Sequence, residues 1–94
     1  MTNNELKEKI ADMIIDQDEL DKIIVLEGDE FADGAIGLTD DNHLVYSYDR
    51  LVESLSKIYG STEDAIEWLE YNTIRSLGYM SSYGNEPRII YEFN

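Results

Sequence analysis

The side chains that carry the most chemistry in this chain are acids. Glu5, Glu8, Asp12, Asp16 and Glu19 follow one another at intervals of three or four residues. That spacing stacks side chains along one face of a helix. A helix continuing through Glu19 sets five carboxylates in one row, opposite Leu6, Ile10 and Ile14. Neighbours in such a row stand about 5–6 Å apart, comparable in scale to the phosphates of a nucleic-acid strand. A row of this kind can compete for a groove that binds nucleic acid. Like charges at this spacing cost roughly a few tenths of a kcal/mol each, and only Lys9, four residues after Glu5, clearly offsets them. The plainer reading of the same residues is a solvated helix face whose acidic first turn suits the helix dipole. A second acidic set, Glu27, Asp29, Glu30, Asp33, Asp40 and Asp41, surrounds expected strand ends, where binding residues are common; a polar loop explains it equally.

Other chemistries find less to work with. His43 is the single histidine, in an expected turn beside Asp40 and Asp41. Without a second His or a Cys it is a poor zinc ligand, and an exposed turn histidine is expected. The run Asp29-Glu30-Phe31-Ala32-Asp33-Gly34 resembles the opening of an EF-hand loop. However, Phe31 falls where a third-position ligand belongs, and Asp40 stands where the loop requires Glu. No metal site is expected. There is no cysteine and no G-x-S-x-G motif, so no nucleophile is expected. The six glycines lie in no phosphate-cradling arrangement. The reading is of a protein without catalytic residues and without a cofactor.

The totals agree with a binding protein. The chain has 94 residues and a net charge of −14, from 21 acids against 7 bases. One domain spanning residues 1–94 is expected, with an acidic helix over 1–20 and a core over 23–94. The charge repels nucleic acid and anionic membranes and favours a basic partner. It is uneven: residues 1–49 carry 14 acids and 3 bases, residues 50–94 carry 7 acids and 4 bases. Salt adaptation and simple solubility are the bland explanations. The missing cysteines fit a reducing compartment, and the polar start MTNNELKEKI is not a secretory signal, so the cytoplasm is the expected location.

The elements that position these residues can be read from periodicity. Asn3 can cap a first helix with Leu6, Ile10, Met13 and Ile14 on one face, ending between Ile15 and Asp18. Ile23–Leu26 reads as a buried strand, or as the end of a short helix capped by Asp18. Gly34–Leu38 and Leu44–Tyr48 read as the strands of a hairpin, joined by the turn formers of 39–43. A helix starts near Asp49, with Leu51, Val52, Leu55, Ile58 and Tyr59 inward, and stops at Gly60. Ser61, with Asp64 three residues on, opens another; Ala65, Ile66, Leu69, Thr73 and Leu77 face inward and Gly78 ends it. Residues 81–87 form a loop and Arg88–Phe93 a terminal strand. The expected class is α+β: a small antiparallel sheet of hairpin plus C-terminal strand, covered by two helices, with an acidic N-terminal helix. Seven tyrosines and Trp68 supply polar-tipped aromatics of the kind favoured at interfaces; packing of sheet and loop is the alternative.

From Asp33 onward the sequence resembles a widespread group of small phage and prophage proteins. The resemblance rests on a Gly-containing strand, the junction Val45-Tyr46-Ser47-Tyr48-Asp49, and the run EDAIEWLEYNTIR over 63–75. It covers roughly residues 33–92, departs at Ser81-Ser82-Tyr83-Gly84, and leaves the acidic N-terminal segment uncovered. It implies a phage origin and a hairpin–helix–helix–strand core, and no catalytic residues. Small acidic phage proteins often block host machinery, anti-CRISPR and anti-restriction proteins among them. The expected function is therefore an acidic inhibitor that binds a basic, nucleic-acid-binding surface of a host defence protein such as a CRISPR effector, in the manner of a DNA mimic. Its expected contact residues are Glu5, Glu8, Asp12, Asp16, Glu19, Asp29, Glu30 and Asp33. The alternative is a protein-interaction module that uses a Tyr/Trp patch, with a homodimer as one form.

Overall fold

The structure, a computed structural model, describes residues 1–93; Asn94, the last residue of the expected domain, lies outside the described residues. The first helix, α1 (Asn3–Met13), is capped one residue earlier than expected. Thr2 accepts from the Glu5 amide at 3.2 Å and Glu5 returns the bond to the Thr2 amide at 3.2 Å, a reciprocal capping box. Leu6 and Ile10 are buried, so α1 packs on the core and does not project from it.

The helix does not run to Glu19. Ile14 is extended, and Asp16 caps a separate helix, α2 (Gln17–Lys22), its carboxylate accepting from the Asp18 amide at 2.9 Å. Two β-branched residues, Ile14 and Ile15, are poor helix formers, while an aspartate cap contributes about 1 kcal/mol. The break also relieves the repulsion that an unbroken acidic row would accumulate.

The short helix expected as the alternative exists as α2, capped by Asp16 in place of Asp18 and ending before Ile24, and Ile23–Leu26 is not a strand. It makes one parallel bridge, Ile23 to Asn85, secured by Asn85 N to Lys22 O at 2.7 Å and Ile24 N to Asn85 O at 3.3 Å. Gly84 lies so close that a Cβ there would meet the Lys22 carbonyl at 2.5 Å. A short helix, α3 (Asp29–Ala32), then buries Phe31 and Ala32.

The hairpin forms as expected, from β1 (Ala35–Leu38) and β2 (Leu44–Ser47), antiparallel, with a bulge between Ala35 and Gly37. Its turn is closed by Asn42 N to Thr39 O at 3.0 Å and Thr39 N to His43 O at 2.9 Å, with Asn42 left-handed at φ 64°, a conformation Asn tolerates. Ser47 ends β2 and caps α4 (Tyr48–Tyr59) in the same residue, its hydroxyl accepting from the Arg50 amide at 3.3 Å. Gly60, at φ 86°, terminates α4 and Ser61 caps α5 (Thr62–Trp68). The chain continues through a π-helical stretch, Leu69–Thr73, and a 3-10 turn, Ile74–Ser76, into α6 (Leu77–Met80). Gly78 lies inside α6 and does not end the helix.

The last strand, β3 (Arg88–Ile90), corrects the expected sheet. The order is β1-β2-β3, and β3 runs parallel to β2, not antiparallel. A parallel neighbour needs a long crossover, and residues 48–87 supply one through α4–α6. Only three of the six expected strand residues pair, because β2 ends where α4 begins. The class is α+β, with one core drawn from α1, α3, β2, α4, α5 and the π stretch: Leu6, Ile10, Phe31, Tyr46, Leu51, Leu55, Ala65 and Leu69 are all buried within it. Among the described residues no helix is long and apolar enough to cross a membrane.

Candidate interaction surface

Most of the eight expected contact acids are occupied by the fold. Glu5 closes the capping box of α1 and Asp16 caps α2. Glu19 is half-buried, 3.4 Å from the Lys22 ammonium and 3.4 Å from the Asn42 side-chain amide. Asp29 accepts from the Asn3 amide at 2.8 Å, and Asp33 holds the Met1 ammonium at 2.5 Å. The α-amine pKa is raised, first by that hydrogen bond and then by the Asp33 charge, with Glu5 and Asp29 adding to it. Glu5, Asp29 and Asp33 thus gather around the start of α1, where free amides and the helix dipole favour negative charge. Glu30 is half-buried; its backbone carbonyl accepts from Ser54 at 2.7 Å and its carboxylate lies against Gly28.

Two of the eight are both exposed and unpartnered. Glu8 and Asp12 are exposed on α1, one turn apart and opposite Leu6 and Ile10. Among the described residues neither has a hydrogen bond or an ion pair. Lys7 and Lys9 sit at the flanks of the same helix, lining the apolar grooves on either side of it. The expected single row of five is therefore corrected to a pair on α1 followed by a second acidic turn on α2. There Asp18 and Asp21 are exposed. The signal for a new helix at this point is Asp16 itself, an aspartate N-cap whose carboxylate takes the Asp18 amide.

His43 also differs from its expectation. It is 9% exposed and its ring Nδ1 lies 2.6 Å from the Glu86 carbonyl. A carbonyl only accepts, so Nδ1 carries the proton. Asp41 faces Nε2 at 3.6 Å, and Arg88 Nε stands 3.4 Å from Nδ1. The ring thereby ties the hairpin turn to the loop before β3. Asp41 itself accepts from the Thr39 hydroxyl at 2.5 Å, which lowers its pKa. Among the described residues no group of three His, Cys, Asp or Glu is placed to hold a metal ion.

The aromatic residues divide sharply. Tyr46 is fully buried and accepts from the Leu26 amide at 3.0 Å; burial pushes its hydroxyl up to about 12. Tyr48 is half-buried against Tyr91, ring centres 4.6 Å apart, and desolvation raises its pKa, aided by the nearby Glu70. Trp68 is half-buried between Phe31 and Tyr59, at 5.8 and 5.6 Å. The other five tyrosines, 59, 71, 79, 83 and 91, are exposed, up to 84% at Tyr83. The Arg75 guanidinium covers Tyr71 at 4.8 Å.

Comparison with protein-family models, with curated proteins and with solved structures returned no match.

Proposed function

We propose that the protein is an acidic binding protein that occupies a basic, nucleic-acid-binding surface of another protein. In the setting that the phage resemblance implies, the partner is a host defence protein such as a CRISPR effector, met in the host cytoplasm. One observation carries this reading: Glu8 and Asp12 on α1 are exposed and without partners, while neighbouring acids are consumed as caps and tethers. Acids that the fold does not use cost it repulsion. Asp18 and Asp21 extend the exposed set onto α2, and residues 1–33 as a whole hold eleven acids against three lysines.

Mimicry here means charge, not shape. A broken pair of helices presents the carboxylates in two short groups. The contact set is accordingly Glu8, Asp12, Asp18 and Asp21, with Glu19 and Glu30 at its margin. The partner's nucleic-acid binding should be competitively lost in the presence of the protein, and the complex should weaken steeply with salt. The experiment is a pull-down from host lysate at low and high salt, followed by a nucleic-acid competition assay with the captured protein. A partner that is retained at low salt, released at high salt and displaced by DNA supports charge mimicry. A partner held equally at both salts, or one indifferent to DNA, removes it.

A second reading is favoured by the five exposed tyrosines. An interaction module that uses them would bind with little salt dependence.

A further inference from the structure

The sequence supplies more strand than the chain uses. Arg88-Ile89-Ile90-Tyr91-Glu92-Phe93 is rich in strand formers, with Ile89, Ile90, Tyr91 and Phe93, yet only Arg88–Ile90 pair with β2. Beyond Ser47 the neighbouring chain is helix, so Tyr91, Glu92 and Phe93 have no strand beside them. Tyr91 is 66% and Phe93 104% exposed. On its other side β3 is the edge of the sheet. A groove of about 410 Å³ lies beside β3, lined also by Ile74 and Leu77. Arg88 and Ile89 both line it. Tyr91, on the same face of the strand as Ile89, lines it as well.

We propose that this edge pairs with the same edge of a second copy, joining two three-stranded sheets through an antiparallel β3–β3 contact. The charges of the strand select this occupant. In an antiparallel pair centred on Ile90, Arg88 of each chain stands opposite Glu92 of the other, and Ile90 meets its own copy between them. Ile89 then lies opposite Tyr91. The strand is its own complement, which a two-fold contact requires. Opposite charges directly across a strand pair stabilise it. Within one chain the two residues are about 13 Å apart along an extended strand and cannot reach each other. Within the chain each has a single-contact ion pair that the contact would exchange: Arg88 with half-buried Glu86 at 3.6 Å, and Glu92 with Arg50 at 3.6 Å. The local charge also permits self-association, since residues 50–94 carry far less net charge than residues 1–49. An unpaired edge with exposed Ile90 is the kind of strand that recruits another chain.

The contact uses residues outside the acidic set and stands or falls separately from the function proposed above. Sedimentation velocity on the full chain, over a concentration series reaching the millimolar range, should show a monomer–dimer equilibrium. Arg88→Glu and Glu92→Arg should each weaken the dimer about tenfold, because each places like charges opposite one another twice in the symmetric contact. The double variant Arg88→Glu/Glu92→Arg should restore it to within about threefold of the parent. Ile90→Lys should leave a folded monomer by circular dichroism. A chain that is monomeric throughout overturns the proposal. So does a dimer indifferent to both reversals, which would place self-association on another face, and so does failure of the double variant to recover.

Discussion

Residues 1–33 and residues 77–93 spend their conspicuous side chains differently. The first segment holds eleven acids and three lysines; the second holds two acids, one arginine and four exposed aromatic rings. In the first, function is easy to infer from composition and is then diluted by structure. Glu5, Asp16, Asp29 and Asp33 cap or tether helices, and Glu19 braces α2 against the hairpin turn. In the second, composition attracts little notice, yet Tyr79, Tyr83 and Phe93 are exposed and Tyr91 has only Tyr48 as an aromatic neighbour. Charge density overstates how many acids are free to bind, and a short tyrosine-rich tail understates how much surface is available.

The contrast can be broken most decisively by reversing the exposed acids of α1 and α2. Glu8→Lys, Asp12→Lys, Asp18→Lys and Asp21→Lys together should lower partner affinity about a hundredfold or more through lost electrostatic complementarity. Folding stability should stay within about 0.5 kcal/mol of the parent, as for other exposed surface changes. Glu63→Lys with Glu67→Lys, exposed acids on α5, should leave affinity nearly unchanged. Equal loss from both sets, measured by titration calorimetry, would reduce the acidic surface to bulk charge.

Tyr46→Phe tests the joint between the two regions. It strands the buried Leu26 amide and should cost about 2 kcal/mol in urea unfolding. The same group sets an alkaline limit. The phenol is held protonated in the fold, with its pKa pushed up to about 12 from 10. Its contribution is complete below pH 10 and is lost as the pH rises through the folded value, at most about 2–3 kcal/mol. Alkaline unfolding followed by circular dichroism should therefore steepen in that window, and Tyr46→Phe should remove the step.

Smaller effects separate working acids from free ones. Asp16→Ala should cost about 1 kcal/mol as a lost helix cap, whereas Glu8→Ala should cost nothing measurable by thermal unfolding. Asp33→Asn should lower the thermal midpoint slightly at neutral pH. The raised amine pKa means that this tether is fully present below the amine's ordinary range and fades as the pH climbs through the raised value. Parent and variant should therefore converge in alkali. A constant difference across pH would mean that Asp33 acts through something other than the α-amine.

The parts of the molecule legible in the sequence are those fixed by local signals. Gly60 and Ser61 mark the α4–α5 junction because a left-handed cap and a hydroxyl N-cap are properties of single residues. The hairpin follows from two apolar runs around a turn-forming pentapeptide. What was not legible depends on competition or on distant partners. Asp16 fits a continuing helix face and a new N-cap equally well, and the N-cap won. Ile23–Leu26 had strand composition but found only Asn85 to pair with. The direction of β3 is set by a forty-residue crossover, on which its own six residues are silent. His43 looked exposed because its cover, the loop at Glu86, lies far along the chain. Among the acids of residues 1–33, the division between free and occupied carboxylates is invisible in the sequence, because only tertiary neighbours reveal it.

Ser47 closes the sheet and opens α4 with no residue between. Length is therefore frozen at this point in a way it is not at residues 81–83. A single inserted amino acid after Ser47 would either flip the pleat of β2 or rotate Leu51, Val52 and Leu55 by about 100° away from the core. Insertions and deletions in descendants of this chain should accumulate in the exposed 81–83 segment and be purged at 47/48. Graft sites for added peptides should be chosen by the same rule.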